Sequence, residues 1–283
     1  MAATRGIGGA AGRAGAAARG AARDAAPWVV RLARLGYAAR GIVYLIVGFV
    51  AAQAAMGKRG DVADQRGALT EIASHSGGRL ILGLLAVGLL GFAVWRFVEA
   101  GLDPERDGAA KRALFALSGA VHAGLALTAA RMAVGSGGGG SGESGADSWT
   151  ARVMEAPAGR WLVGLAALGI AAFGIQQLVQ AYKAKLDRRL DLSRMRPEAS
   201  VWAVRAARAG LAARGVVFAL IGFFLLQAAL HRNPNETRGM SGALTALRDA
   251  SYGPWLLGLV ALGLMAFGAG ELIKARYRRI TPA

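Results

Sequence analysis

Ala39-Arg40-Gly41-Ile42-Val43-Tyr44 opens a long apolar run, and Ala213-Arg214-Gly215-Val216-Val217-Phe218 opens another 174 residues later. A weaker copy, Leu117-Ser118-Gly119-Ala120-Val121-His122, lies between them. Each run is followed by a second one carrying a glycine–phenylalanine pair: Gly91-Phe92, Phe173-Gly174 and Phe267-Gly268. The chain therefore reads as one two-helix unit written three times.

Outward from these motifs the apolar residues gather in six stretches rather than recurring at the period of a soluble helix or strand. The stretches are Gly41 to Met56, Leu80 to Val98, Ala113 to Val134, Trp161 to Val179, Gly215 to Leu230 and Trp255 to Ile273. Each is close to the ~20 residues that a helix needs to cross a bilayer core. Few charges interrupt them, and only helices or closed barrels satisfy the backbone in lipid. The predicted fold class is all-α: a polytopic membrane protein of six transmembrane helices, arranged as three parallel two-helix repeats in a pseudo-threefold bundle. An even number of crossings per unit makes the copies parallel, with their axis along the membrane normal.

The expected organisation follows the repeats. Residues 1–26 form a disordered basic tail, 27–101 the first repeat, 102–182 the second and 183–283 the third. Residues 135–148, nearly pure Gly and Ser, form a flexible outer linker in the second repeat. Trp28 to Gly36 and Trp202 to Gly210 match at the same offset and are expected as short interfacial helices. The segments around Gly67-Ala68-Leu69-Thr70 and Gly242-Ala243-Leu244-Thr245 are expected as amphipathic helices on the outer surface.

The chain has 283 residues, 54% of them hydrophobic, no cysteine and a net charge of +17. Absence of cysteine removes disulfides and thiolate chemistry. The basic residues sit at the ends of apolar runs, so they are read as orientation signal and contact with anionic lipid headgroups, not as a nucleic-acid surface. Twenty-two lie on the side of the termini and nine on the other. The positive-inside rule then places both termini in the cytoplasm of a multi-pass protein of the cell (plasma) membrane.

Small residues recur every seven positions on the first helix of each repeat. Gly41, Gly48 and Ala55 form one stripe; Gly119, Ala126 and Ala133 the second; Gly215, Gly222 and Ala229 the third. Seven residues fall about 20° short of two turns, so each trio lines one narrow face on which another helix can approach closely.

Intramembrane polar residues are the candidate functional set. Arg40 and Arg214 match, as do Gln53, Arg131 and Gln227 near the outer ends. Pairing within each repeat would give Arg40–Glu99 and Arg214–Glu271, with Ser118 facing Gln176, Gln177 and Gln180; the alternative is that each arginine snorkels to lipid phosphate. His122 stands where the other copies have Tyr44 and Phe218. It suits a ring-sized slot with an interhelical hydrogen bond, or else a proton relay. No paired histidines at metal spacing, nucleophile elbow or acid pair is found, so neither an enzyme nor a cofactor is expected.

Arg40-Gly41-Ile42-Val43-Tyr44, Arg214-Gly215-Val216-Val217-Phe218 and the helix openings at Gly159 and Gly253 resemble a bacterial membrane family, domain of unknown function 1206, over residues 28–280. The resemblance implies a six-helix membrane protein and no particular activity. The functional expectation is a structural, regulatory or partner-binding membrane protein. The alternative is a small-solute or proton-coupled transporter or channel, with a watery cavity near His122, Tyr44 or Phe218.

Overall fold

A computed structural model describes residues 4–58, 62–102, 108–136, 150–183 and 195–278, with backbone alone for residues 4–29. The helices in chain order are α1 (Thr4–Ala55), α2 (Gln65–Ala73), α3 (Gly78–Leu102), α4 (Ala109–Ala133), α5 (150–155), α6 (Gly159–Lys183), α7 (Pro197–His231), α8 (Met240–Arg248) and α9 (Gly253–Tyr277). Six of them, α1, α3, α4, α6, α7 and α9, are long and apolar enough to span a bilayer. The Gly/Ser linker expected at 135–148 falls almost wholly outside the described residues.

Helix α1 corrects one expectation, because residues 4–26 are helical and run unbroken into the first membrane helix. Alanine has the highest helix propensity, and extending an existing helix backward needs no new nucleus. The segments starting at Trp28 and Trp202 are likewise part of α1 and α7, not separate interfacial helices.

The transmembrane helices pack in the spatial order α4–α3–α1–α9–α7–α6. The most intimate contacts join different repeats: α1 with α9, α4 with α3, and α7 with α6. The small-residue stripes lie in these seams. A Cβ on Gly41 would sit 2.8 Å from the Gly268 carbonyl, and one on Gly48 2.8 Å from the Ala261 carbonyl. On α7, a Cβ on Gly215 would sit 2.9 Å from the Gly174 carbonyl and one on Gly222 2.6 Å from the Ala171 nitrogen. Contact this close, backbone on backbone, is how helices associate in lipid without a hydrophobic driving force. In the middle copy Gly119 meets the Phe97 ring, Ala126 is buried and Ala133 is half-buried.

Within repeats, α1 packs on α3 and α7 on α9. Gly36 and Gly210 allow it: a Cβ there would overlap Phe92 Cα and Phe267 Cα. On the facing helices, a Cβ at Gly88 or Gly263 would press on the Cβ of Ala39 or Ala213. The middle repeat lacks this contact among the described residues. Leu114, exposed, stands where Gly36 and Gly210 do, and a Cβ on Gly169, the counterpart of Gly88 and Gly263, would meet nothing within 4 Å. The ring is therefore open between α4 and α6. Burial follows: 61% of the most apolar window of α1 is buried but only 22% of that of α6.

The short helices α2 and α8 lie inside the bundle rather than on its surface. Ala68, Leu69, Ala243 and Leu244 are wholly buried in the same core as Val43, Val47 and Leu264. Gln65 Nε2 at the start of α2 donates to Tyr44 Oη at 3.0 Å, and Tyr44 lies about 16 Å of helix inward from Ala55. Helix α2 therefore begins at the depth of Tyr44 and runs outward, its first turn capped by Asp64 accepting from the Gly67 amide. Such backbone is tolerated at depth only when surrounded by protein.

Gly263→Ala is expected to cost roughly 1–3 kcal/mol by overpacking a seam, whereas Gly169→Ala at the equivalent position of the middle repeat changes stability by less than about 0.5 kcal/mol. Thermal unfolding of the two variants in one detergent separates them. Equal losses would mean that the α4–α6 face is packed.

Candidate functional site

The helices opening at Gly78, Gly159 and Gly253 can be laid in register from those glycines. Phe92, Phe173 and Phe267 then coincide, one turn before a polar position held by Arg96, Gln177 and Glu271. The first helices supply Arg40, Ser118 and Arg214, one turn before Tyr44, His122 and Phe218. Because each first helix packs on the second helix of the preceding repeat, these positions meet across repeats.

Three ring contacts record that rule. Tyr44 meets Phe267 with centroids 4.7 Å apart, His122 meets Phe92 at 4.6 Å and Phe218 meets Phe173 at 5.3 Å. The polar positions follow it too. Arg40 Nη1 donates to Glu271 Oε2 at 3.0 Å, and Arg214 Nη1 donates to Gln177 Oε1 at 3.0 Å. The predicted pairs Arg40–Glu99 and Arg214–Glu271 are thus corrected: the right residue types meet, displaced by one repeat. Helix register brings Gly41 to Gly268 and Gly215 to Gly174, and the charges ride on those contacts.

The middle copy completes the logic. Ser118 replaces arginine, and its counterpart across the seam is the cation Arg96, not an acceptor. Two facing guanidinium groups would repel. Arg96 instead turns along its own helix to Glu99, Nη1 to Oε2 at 2.7 Å, and lies over Phe115 of α4 at 5.2 Å. The expectation that Ser118 faces three glutamines is therefore also corrected. Of those glutamines only Gln177 is buried; Gln176 and Gln180 are exposed.

The arginines are sheathed in aromatic rings. Arg40 lies over Phe92 and Phe267 at 5.0 and 5.1 Å, and Arg214 over Phe218 and Phe267 at 4.8 and 5.1 Å. Ring faces are negative, so the rings attract the cation and keep out lipid tails. Lys274 adds a second bond to Glu271 at 2.7 Å, and Arg278 Nη2 reaches Glu99 Oε1 at 2.8 Å. Glu271 and Glu99 are each shared by two cations from different sequence positions, which satisfies both oxygens of each carboxylate.

A further cyclic pair lies toward the helix ends. Arg112 Nε donates to the Ala100 carbonyl at 2.7 Å, and Arg208 Nε to the Ala181 carbonyl at 2.9 Å. Each caps the exposed carbonyls at the end of the preceding repeat's second helix, where a cation also favours the dipole.

His122 sits in the ring slot with its Nδ1 2.7 Å from the Ser118 carbonyl of its own helix, and no interhelical hydrogen bond reaches it among the described residues. Gln53 and Gln227 are half-buried and Arg131 exposed, and no hydrogen bond joins the three among the described residues. The sequence reading passed over Phe92, Phe173 and Phe267 as partners, along with Lys274 and Arg278. Their signal was present in the glycine–phenylalanine pairs, whose spacing matches that of the Arg-Gly motifs.

Three segments, residues 35–103, 113–184 and 209–278, match the family described as Domain of Unknown Function (DUF1206). Each spans one helix pair. The chain is 34% identical over 264 residues to "Uncharacterized protein YxxB" of Bacillus subtilis (strain 168), covering 92% of this chain and 94% of that protein. No solved structure matches.

Glu271→Gln is expected to destabilise the fold by about 3–5 kcal/mol, since it strips charge compensation from buried Arg40 and Lys274. In a double-mutant cycle Arg40→Gln should be strongly coupled to Glu271→Gln and coupled by less than about 0.5 kcal/mol to Glu99→Gln. Chemical unfolding in mixed micelles reads both. Stronger coupling to Glu99 would restore pairing within the repeat.

Proposed function

This chain belongs to the DUF1206 family of multi-pass membrane proteins, and we propose that it is a non-catalytic structural or regulatory protein of the bacterial plasma membrane, acting through lipids or partner proteins. One observation carries the proposal: the axis of the bundle is filled. On the side of the termini the buried Arg40–Glu271 pair and its rings occupy it, and on the other side α2 and α8 do. A transport path needs polar space along that axis. A cavity of about 410 Å³ lies instead at the far end of the bundle, lined by Met154, Glu155, Arg160, Trp161 and Arg232.

Both termini are assigned to the cytoplasm, on the excess of basic residues at that end. Engineered cysteines test this directly, because the chain has none of its own. Lys111→Cys should be shielded from an impermeant maleimide in intact cells, and Asp249→Cys should be labelled. The reverse pattern would invert the protein.

Re-entrant segments such as α2 and α8 are also a feature of transporters and channels, and this favours transport as the second reading. Proteoliposomes loaded with a pH-sensitive dye decide between the two. The chain should dissipate an imposed proton or solute gradient no faster than empty vesicles. A flux that disappears in His122→Phe would replace the structural reading with a transport one.

A further inference from the structure

We propose that the open face between α4 and α6 holds a phospholipid with an anionic headgroup, received by Arg214 and Gln177. The site does not depend on which leaflet the termini face, nor on the structural role proposed above. It stands on three observations.

The first is the open face itself. Two repeats close their own helix pair, and the middle one does not. Leu117 and Val121 on α4, and Ala166 and Gly169 on α6, are exposed where their counterparts in the other two repeats are buried, and Gln176 and Gln180 line the same side of α6. Acyl chains match the apolar part of that surface.

The second is an idle amide donor. Gln177 is 3% exposed and spends its Oε1 on Arg214. Its Nε2 is buried without a hydrogen-bond partner; the Nε of Arg214 is too, but so are those of Arg40 and Arg96, so the amide is the distinctive donor. Buried donors of this kind are rare, and they call for an acceptor.

The third is charge. Arg40 closes on a carboxylate, whereas its counterpart Arg214 closes on a neutral amide. Arg40, Arg96, Arg214, Lys274 and Arg278 share the two carboxylates Glu99 and Glu271 among the described residues. The cluster is positive, and an anionic group at Arg214 would supply what the middle repeat omits. Gln177 lies about 9 Å of helix in from Lys183, and arginine is long enough to meet a headgroup at that depth.

Charge also decides the occupant. A second copy could cover the apolar face, but it would bring another net-positive cluster to the same level. A free anion would have to cross the lipid-facing surface unaccompanied. An anionic phospholipid brings both the acyl chains and the charge.

Native mass spectrometry of the full chain, titrated with phosphatidylglycerol, phosphatidylcholine or inorganic phosphate, tests this. One phosphatidylglycerol should be retained in preference to phosphatidylcholine. Arg214→Gln should weaken its retention about tenfold, the loss of one charge-assisted hydrogen bond. Gly169→Leu is a second variant, placed where a side chain meets open space, so folding is spared. It should displace the lipid by filling the face while leaving the cluster alone. Equal retention of both lipids, or no effect of either variant, overturns the proposal. So does saturation by inorganic phosphate without lipid, or a lipid-free dimer whose cross-links map to α4 and α6.

Discussion

A guanidinium group inside a bilayer must find compensation within the protein, and the closure of Arg40 on Glu271 is the contact through which this fold meets that demand. The pair joins the first transmembrane helix to the last, so it ties the two ends of the chain together. Around it the remaining positions follow. Phe267 stacks on Tyr44 in the same seam, Lys274 takes the second oxygen of Glu271, and Phe92 covers the other flank of Arg40. Removing either charge would leave the other buried in a low-dielectric medium with aromatic faces as its chief support. Hydrogen bonds to ordinary hydroxyls are worth far less in such a setting than the cost of a stranded charge.

The pairing runs from each repeat to the one before it, and this turns three similar units into one interlocked object. A two-helix unit that satisfied its own arginine would be free to associate in several ways. Here no unit is complete alone. Arg40 needs the third repeat, Arg214 needs the second, and the carbonyls at the end of α3 need Arg112 from the second. The same device explains why residue types change together. Ser118 is the counterpart of Arg40 and Arg214 across the seam from Arg96, and arginine there would set two cations against each other.

The middle repeat departs from the pattern in structure as well as in sequence. Leu114 stands in place of a close-contact glycine, Gly169 faces open space, and the seam between α4 and α6 remains unfilled. The two other within-repeat seams are held by contacts of Gly36 and Gly210 with the backbones at Phe92 and Phe267, which leave no room for a side chain. The same repeat carries the neutral Gln177 and the ring-slot histidine. Its divergence thus reaches the seams on either side of the open face, His122 against Phe92 and Gln177 against Arg214.

Much of the architecture was legible in the residues. Six apolar stretches of membrane-spanning length, three copies of a motif and an even number of crossings per copy determine six helices in three parallel pairs, because lipid leaves the backbone no alternative. The stripes of Gly41, Gly215 and their partners announce where helices come close, since only small residues permit it. What the sequence could not give was the partner of each stripe. Spacing along a helix says which face a residue occupies, but not whether that face turns to its own repeat or to the neighbouring one, and both choices bury the same surface. Only the folded bundle decided that Arg40 meets Glu271 rather than Glu99. The depth of α2 and α8 was hidden for a related reason. A short amphipathic helix has the same pattern whether its apolar side rests on lipid or on Val47 and Leu264, and the difference lies in what the other helices leave open.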